Sequence, residues 1–285
     1  MKTRDSFFSW LTAHKKIEAV LLDIDGTILR GHYALPGARE MLTVFDQKGI
    51  PWLLLTNDAN HSHAEKSGFL KAAGFNISPQ KIVSAGDGIS RLIKKHNLEG
   101  KLFFALGDLG NPSYPEIYGL KLTRCPEEIG STAGVIAGEG NYNWEVHINA
   151  ALNYFIDHPR GLLIVPNPDS YWPARHGIGI GAGGVARLIV ALADEYGVKI
   201  KPHYLGKPYK AIFHTALSVL AEQYGLRKKI NLRHLVFAGD SLRSDMAGAN
   251  KFGCRSALLL TGITSRAMLD HAPRICRPLL VFKNL

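Results

Sequence analysis

Three observations predict an α/β protein with a doubly wound parallel sheet and a second α/β segment inserted into it. Short apolar runs alternate with helix-period patterns, and each run stops at a polar cluster rather than at a two-residue hairpin turn. The pattern breaks and restarts near residue 84 and again near residue 203, where the charge balance also changes. At 285 residues the chain has reached the length at which one hydrophobic core stops growing and a second becomes expected. The expected organisation is a core built from 1–83 and 203–285, interrupted by an inserted α/β domain over 84–202.

The elements follow in order. Residues 17–24, apolar from Ala19 to Leu22, read as a buried parallel strand that ends at Asp23-Ile24-Asp25-Gly26-Thr27. Residues 36–48 open with Pro36 and carry apolar side chains at helical spacing; 50–55 are a second strand ending at Thr56-Asn57-Asp58. A helix is expected over 62–73, stopped by Gly74. The insert reads as a helix over 88–96, strands over 101–106 and 135–137, a helix over 144–157, a strand over 162–165 and a helix over 185–196. The last segment reads as a helix over 208–224, a strand over 235–238 ending in Gly239-Asp240, a helix over 244–252 and a strand over 256–260.

Composition excludes several classes. With 46% hydrophobic and 20% charged residues the chain matches soluble globular proteins, and no apolar run approaches the roughly 20 residues that span a bilayer. MKTRDSFFSWLTAHKK has no signal-peptide core, and Cys125, Cys254 and Cys276 form neither a disulfide framework nor a Cys-x-x-Cys metal pair. A reducing, cytoplasmic setting without a membrane partner is expected. The net charge of +10 raises the question of nucleic acid, so its location matters. Basic residues exceed acidic ones by nine over 203–285 and by two over 1–83, and fall one short over 84–202. Much of the excess is Arg227, Lys228, Lys229 and Arg233 between two apolar runs, which is a solvated turn rather than a duplex-binding face. Nucleic acid is not the expected partner.

The strand ends carry the chemistry. Ligands of open α/β sheets bind outside the carboxyl ends of the strands, so the polar clusters there converge on one crevice. Asp23 and Asp25 alternate along an extended segment, and Asp240 ends a separate strand. Three carboxylates in one place repel unless a cation joins them, and hard oxygen donors suit Mg2+, which keeps waters and accepts a phosphate oxygen. Lys207 adds a positive charge ahead of a helix, and Thr56 and Asn57 add donors from the neighbouring strand end. Such a set fits phosphoryl transfer, where catalysis is mostly positioning and charge stabilisation. One carboxylate can attack phosphorus, and its neighbour two residues on can protonate the leaving oxygen and then deprotonate water.

Asp23-Ile24-Asp25-Gly26-Thr27, Leu55-Thr56-Asn57, Gly206-Lys207-Pro208 and Gly239-Asp240 through Asp245 resemble, in order, the four motifs of the haloacid dehalogenase superfamily. The long insert between the second and third motifs resembles the α/β cap of its subfamily IIA, the branch of p-nitrophenyl, sugar, nucleotide, phosphoglycolate and pyridoxal phosphatases. The resemblance runs from about residue 17 to 263 and takes in Asn167-Pro168-Asp169, the glycine-rich stretch to Gly184 and Leu259-Leu260-Thr261-Gly262. It implies Asp23 as nucleophile and Asp25 as general acid/base. It implies Mg2+ held by Asp23, the Asp25 carbonyl and Asp240, with Thr56, Asn57 and Lys207 on the phosphoryl group and Asp245 behind them. The implied substrate is a small phosphorylated metabolite, hydrolysed as a phosphomonoester. Asp25 separates the chain from true dehalogenases and from P-type ATPases, which lack an Asp there. Two positions depart from the pattern: Asp58 where many relatives have Asn, and Ser244 where Thr is usual.

Other features have plainer readings. Gly179-x-Gly181-x-x-Gly184 matches a dinucleotide fingerprint, but no strand is expected to run into it and no acid stands about 20 residues on, so a tight turn opening a helix is expected. His61 and His63 fall at a helix start with Ser62 as cap rather than forming a metal pair. Tyr171, Trp172, Arg175 and His176 follow Asn167 and Asp169; of these, Asn167, Asp169, Arg175 and His176 are the candidates for choosing the leaving group. Two rival functions remain at this point. One is a phosphotransferase or mutase using the same aspartyl-phosphate; the other is a non-catalytic binder of phosphate or nucleic acid.

Overall fold

The structure, a computed structural model, describes residues 3–14, 16–174, 176–225 and 230–285. Its contacts divide it into two compact units: Met1–Thr56 with His63–Val83 and Lys207–Leu285, and Asn57–Ser62 with Ser84–Gly206. Asn57–Ser62, which begins with the last residue of the second motif, groups with the insert rather than with the core strand it leaves.

The first unit is built on a seven-stranded sheet in the order Arg4–Ser6, Leu280–Asn284, Arg255–Leu259, Leu235–Gly239, Ala19–Leu22, Trp52–Thr56, Ile82–Ser84. The pairings from Arg4–Ser6 across to Trp52–Thr56 are all parallel, as the alternation of apolar runs and helices predicts. Ala19–Leu22, Trp52–Thr56 and Leu235–Gly239 are buried at every position, which is why they read as unbroken apolar runs. Register places the motifs: Leu22 lies opposite Leu54 on one side and Ala238 on the other. Asp23 is the next residue of its strand, and Thr56 and Asp240 lie two residues beyond the paired positions of theirs, so all three reach the same row of carboxyl ends.

Both termini of this unit were missed by the periodicity. Arg4–Ser6 pairs with Leu280–Asn284, and the helix Phe7–Ala13 packs back on that strand, with Phe7 edge-on to Phe282 at a ring separation of 5.4 Å. Ser6 caps the helix by accepting the Ser9 N–H at 3.1 Å. Arg4–Ser6, at three residues, is too short to show a period of two, and Leu280–Asn284 ends in the exposed Lys283 and Asn284, so it carries only three apolar residues in a row.

The second unit has its own five-stranded parallel sheet, ordered His203–Tyr204, Leu162–Val165, Gly134–Ala137, Leu102–Leu106, Lys121–Thr123. Helices Ile89–His96, Asn149–Asp157 and Ala182–Glu195 cover it, with Phe104, Phe155, Val185 and Ile189 fully buried. Tyr171–Ala174 and Gly177–Ile180 form a separate antiparallel ribbon. This corrects the reading of the glycine-rich stretch: a strand does run into it, because Ile178 and Ile180 alternate with Gly177 and Gly179, and the helix begins at Ala182. The strand belongs to a two-stranded ribbon, not to a parallel βαβ unit, so the dinucleotide context is still lacking. Among the described residues, no helix is long and apolar enough to cross a membrane. Arg227, Lys228 and Lys229 of the basic stretch lie outside the described residues.

Candidate active site

At the carboxyl edge of the first unit, Asp23, Asp240 and Asp245 each place a carboxylate oxygen within 4.8 Å of the others, all buried. Lys207, 2% exposed, sits among them. Its Nζ lies 2.6 Å from Asp23 Oδ1 and 2.8 Å from Asp245 Oδ1. Asp245 is delivered by a π-helical turn, Leu242–Met246, directly after the strand Leu235–Gly239. Its second oxygen accepts the N–H groups of Asp240 and Ser241, each at 3.0 Å. Both Asp245 oxygens thus serve the fold: one fixes the lysine, the other ties the turn to the strand end.

Asp240 Oδ2 accepts the Ile263 N–H at 2.7 Å, and the Thr264 hydroxyl donates to the Asp240 carbonyl. Neither partner carries a motif signature of its own; the legible trace was Gly262 after the strand Arg255–Leu259. A Cβ on Gly262 would land on the Asp240 carboxylate, and one on Gly26, at φ +73°, would do the same. The two glycines leave the space that the carboxylate occupies. Gly262→Ala is expected to displace Asp240 and to weaken the binding of added Mg2+ at this carboxylate cluster by about tenfold or more. A Mg2+ titration of the variant checks this; an unchanged half-maximal concentration would contradict it.

Burial pushes the Asp23 carboxyl well above its usual range; Lys207 opposes that and the Asp245 and Asp240 charges add to it. Asp240 is pushed up to about 7, by burial first and then by Asp245. Burial works to lower the Lys207 value, but the carboxylates of Asp23 and Asp245 outweigh it and hold the ammonium charged. Ionising all three buried carboxylates against one ammonium would leave an excess of negative charge in a low-dielectric pocket, which is why two of them are raised. All the donors are hard oxygens, so a small divalent cation such as Mg2+ fits both the charge and the chemistry.

The remaining expected residues fall as follows. Thr56 is buried at the end of its strand. Asp25 is exposed, two residues past Asp23, where its backbone bridges to Leu29. In the second unit, Asn57 Nδ2 donates to Asp169 Oδ2 at 2.9 Å, and Asn167 Nδ2 donates to Glu139 Oε2 at 2.7 Å. Glu139 was not foreseen; it stands just beyond the strand Gly134–Ala137, at a strand end like the others. Its carboxyl is raised by burial, with the Asn167 hydrogen bond opposing. His176 is exposed at the turn of the ribbon, and Arg175 lies outside the described residues. Asp58 Oδ1 accepts the Asn60 N–H at 2.8 Å and its Oδ2 lies 2.9 Å from His61 Nδ1, so the departing acid is held inside its own turn. His61 pairs with Asp58, and neither it nor His63 belongs to a metal-sized cluster among the described residues. Ser244 keeps a hydroxyl beside Asp245, its Oγ 3.5 Å from Oδ1. Cys254 is buried with its thiol pushed up to about 12 by burial, which makes it inert.

Comparison with known proteins adds two family models and a set of relatives. Residues 20–121 match a haloacid dehalogenase-like hydrolase model, and residues 204–285 match a second, HAD-hydrolase-like model. The chain is 26% identical over 254 residues to dihydroxyacetone phosphatase of Corynebacterium glutamicum, covering 89% of this chain and 84% of that protein. It is 27% identical over 262 residues to the ribonucleotide monophosphatase NagD of Escherichia coli, covering 90% and 93%. The solved p-nitrophenyl phosphatase from Archaeoglobus fulgidus superposes with a TM-score of 0.77 at 23% identity over 94% of this chain and 96% of that one.

Proposed function

The chain belongs to the haloacid dehalogenase-like hydrolases, as a phosphatase of small phosphorylated substrates, and from that premise we propose that it hydrolyses a sugar phosphate, nucleotide or similar small phosphomonoester through an aspartyl-phosphate with Mg2+ as cofactor. The observation that carries the reading is the buried cluster of Asp23, Asp240 and Asp245 around Lys207. Relatives named for dihydroxyacetone phosphate and ribonucleotide monophosphates support the substrate class.

In this reading Asp23, with one oxygen held by Lys207, attacks phosphorus with the other. The new carboxylate–phosphorus bond forms as the ester P–O bond breaks, and Asp25 gives its proton to the leaving oxygen. Asp25 then takes a proton from water as that water displaces the aspartyl oxygen, which returns Asp23 and releases inorganic phosphate. Thr56, Asn57 and Lys207 hold the phosphoryl oxygens, and Asp245 keeps Lys207 aimed at them. Mg2+, held by Asp23, the Asp25 carbonyl and Asp240, would supply neutralising charge to the phosphoryl oxygens. The insert over Ser84–Gly206 serves as the cap that excludes water during attack and selects the leaving group. Purified protein with Mg2+ is expected to hydrolyse p-nitrophenyl phosphate and a subset of a phosphometabolite panel. No turnover of any of them would overturn the reading.

The raised carboxyls give a second test. Without a cation, the folded state holds a proton on Asp240 up to about pH 7, whereas the unfolded carboxyl ionises near 3.8. The folded state therefore binds more protons across that window, and this group costs stability as the pH climbs through it. A cation needs the ionised form, so protons compete with it below about pH 7. The rise in Tm produced by saturating Mg2+ over EDTA is expected to be small at pH 5.5 and several degrees larger at pH 8. A Mg2+ effect that is flat across that range would contradict the assignment of Asp240 as a ligand.

A further inference from the structure

The segment Asn167–Asp169 is held by hydrogen bonds from both sides. Asp169 N–H donates to the Asn167 side-chain oxygen at 2.9 Å, and Asn167 Nδ2 in turn grips Glu139. From the other side, Gly183 N–H donates to the Asp169 carbonyl at 3.0 Å, and Arg187 Nη1 donates to the Pro168 carbonyl at 3.0 Å and to Ser170 Oγ at 2.6 Å. A Cβ on Gly183 would overlap the Pro168 carbonyl oxygen, so the glycine-rich stretch that resembles a dinucleotide loop is a backbone clamp on this segment. What the clamp presents is the Asp169 carboxylate, and that carboxylate accepts a hydrogen from Asn57 Nδ2 at 2.9 Å. The opposite face of the same amide packs on Gly206, where a Cβ would meet Asn57 Oδ1. Asn57 is thus fixed in rotation by groups of the second unit, although it follows directly on Thr56 of the core strand.

We propose that Asp169 is a positioning residue for the reaction: through the Asn57–Asp169 hydrogen bond it fixes the Asn57 carboxamide in the orientation that donates to the phosphoryl group. This rests on the proposed phosphatase function, in which Asn57 touches phosphate, and it reassigns Asp169 from choosing the leaving group to aiming a phosphate donor. Glu139, Asn167 and the Gly183–Arg187 clamp hold Asp169 in turn.

Inorganic phosphate has no leaving group, and this separates the two roles. Replacing Asp169 by Ala is expected to weaken inhibition by inorganic phosphate and to lower kcat/KM by the same factor, about 10- to 100-fold, for every substrate of a leaving-group series. Asp169→Asn, which keeps an acceptor oxygen, is expected to recover most of the loss. In an Asn57→Ala background the Asp169 substitution is expected to cost little more, since its target is gone. Thermal melts with EDTA accompany each variant, and Asp169→Ser replaces Ala if the latter does not fold. The proposal is overturned if phosphate inhibition is unchanged while losses differ between leaving groups. It is equally overturned if the Asp169 and Asn57 effects multiply independently. An inactive wild-type protein would instead bring down the phosphatase reading itself.

Discussion

Asp23→Asn is expected to lower kcat for p-nitrophenyl phosphate by roughly ten-thousand-fold or more, the scale on which loss of a covalent nucleophile acts. The same substitution is expected to leave the metal-free protein as stable as the parent or more so. Asp23 is buried beside two other carboxylates, and its carboxyl is raised well above the ordinary range by that burial, with Lys207 only partly offsetting it. A neutral amide of the same shape removes a charge that the pocket disfavours when EDTA holds the metal away, while Lys207 keeps Asp245 as a partner at 2.8 Å. Activity and stability should therefore move in opposite directions, which is the signature of a site whose strain serves function. Melts in EDTA and in Mg2+ test it. The parent is expected to gain more from Mg2+ than the Asn variant, because only the parent offers the Asp23 charge. A variant that keeps a tenth of the parent rate, or melts far below it in EDTA, would refute the assignment.

The parts of this site that were legible in the sequence are those fixed by chain-local geometry. A parallel strand buried on both faces reads as a continuous apolar run, and its carboxyl end is the first polar residue after it, so Asp23, Thr56 and Asp240 could be placed in one row before any register was known. Lys207 was legible only as a positive charge ahead of a helix and Asp245 only by motif resemblance, and the structure supplies what joins them: 184 residues separate Lys207 from the Asp23 carboxylate it pairs with. Contacts across such separations leave no periodic trace. The same holds for Asn57 and Asp169, 112 residues apart, and for Asn167 and Glu139. The role of Gly183 left no trace for a related reason. It stands inside the stretch whose Gly179, Gly181 and Gly184 carry the dinucleotide-like spacing, but the backbone it approaches is the Pro168 carbonyl, fifteen residues back in its own unit. Edge strands such as His203–Tyr204 are two residues long and were beyond reach of any pattern.

Replacing Lys207 is expected to produce the largest loss of stability. The side chain is 2% exposed, and among the described residues it is the cation placed between the buried carboxylates. Burial alone would lower its ionisation, yet Asp23 and Asp245 raise it, so the ammonium stays charged across the physiological range. A group raised in this way contributes its full stabilisation below the unfolded value, about 10.4, and loses it only as the pH rises through the folded value. At pH 8 the Lys207→Met variant forfeits all of it and leaves the acids unpaired, at a cost of about 3–5 kcal/mol, roughly a 10 °C fall in Tm. At pH 5 the cost should shrink, because Asp240, already pushed up to about 7, and Asp23 take up protons and no longer need a counter-charge. Mg2+ is expected to restore part of the stability but none of the turnover, since a metal between Asp23 and Asp240 does not replace a donor on the phosphoryl oxygen. Lys207→Arg is expected to rescue neither, because a planar guanidinium cannot occupy a fully enclosed site shaped for a compact ammonium. A Tm gap that stays constant or widens as the pH falls from 8 to 5 would show that the lysine contributes packing rather than charge.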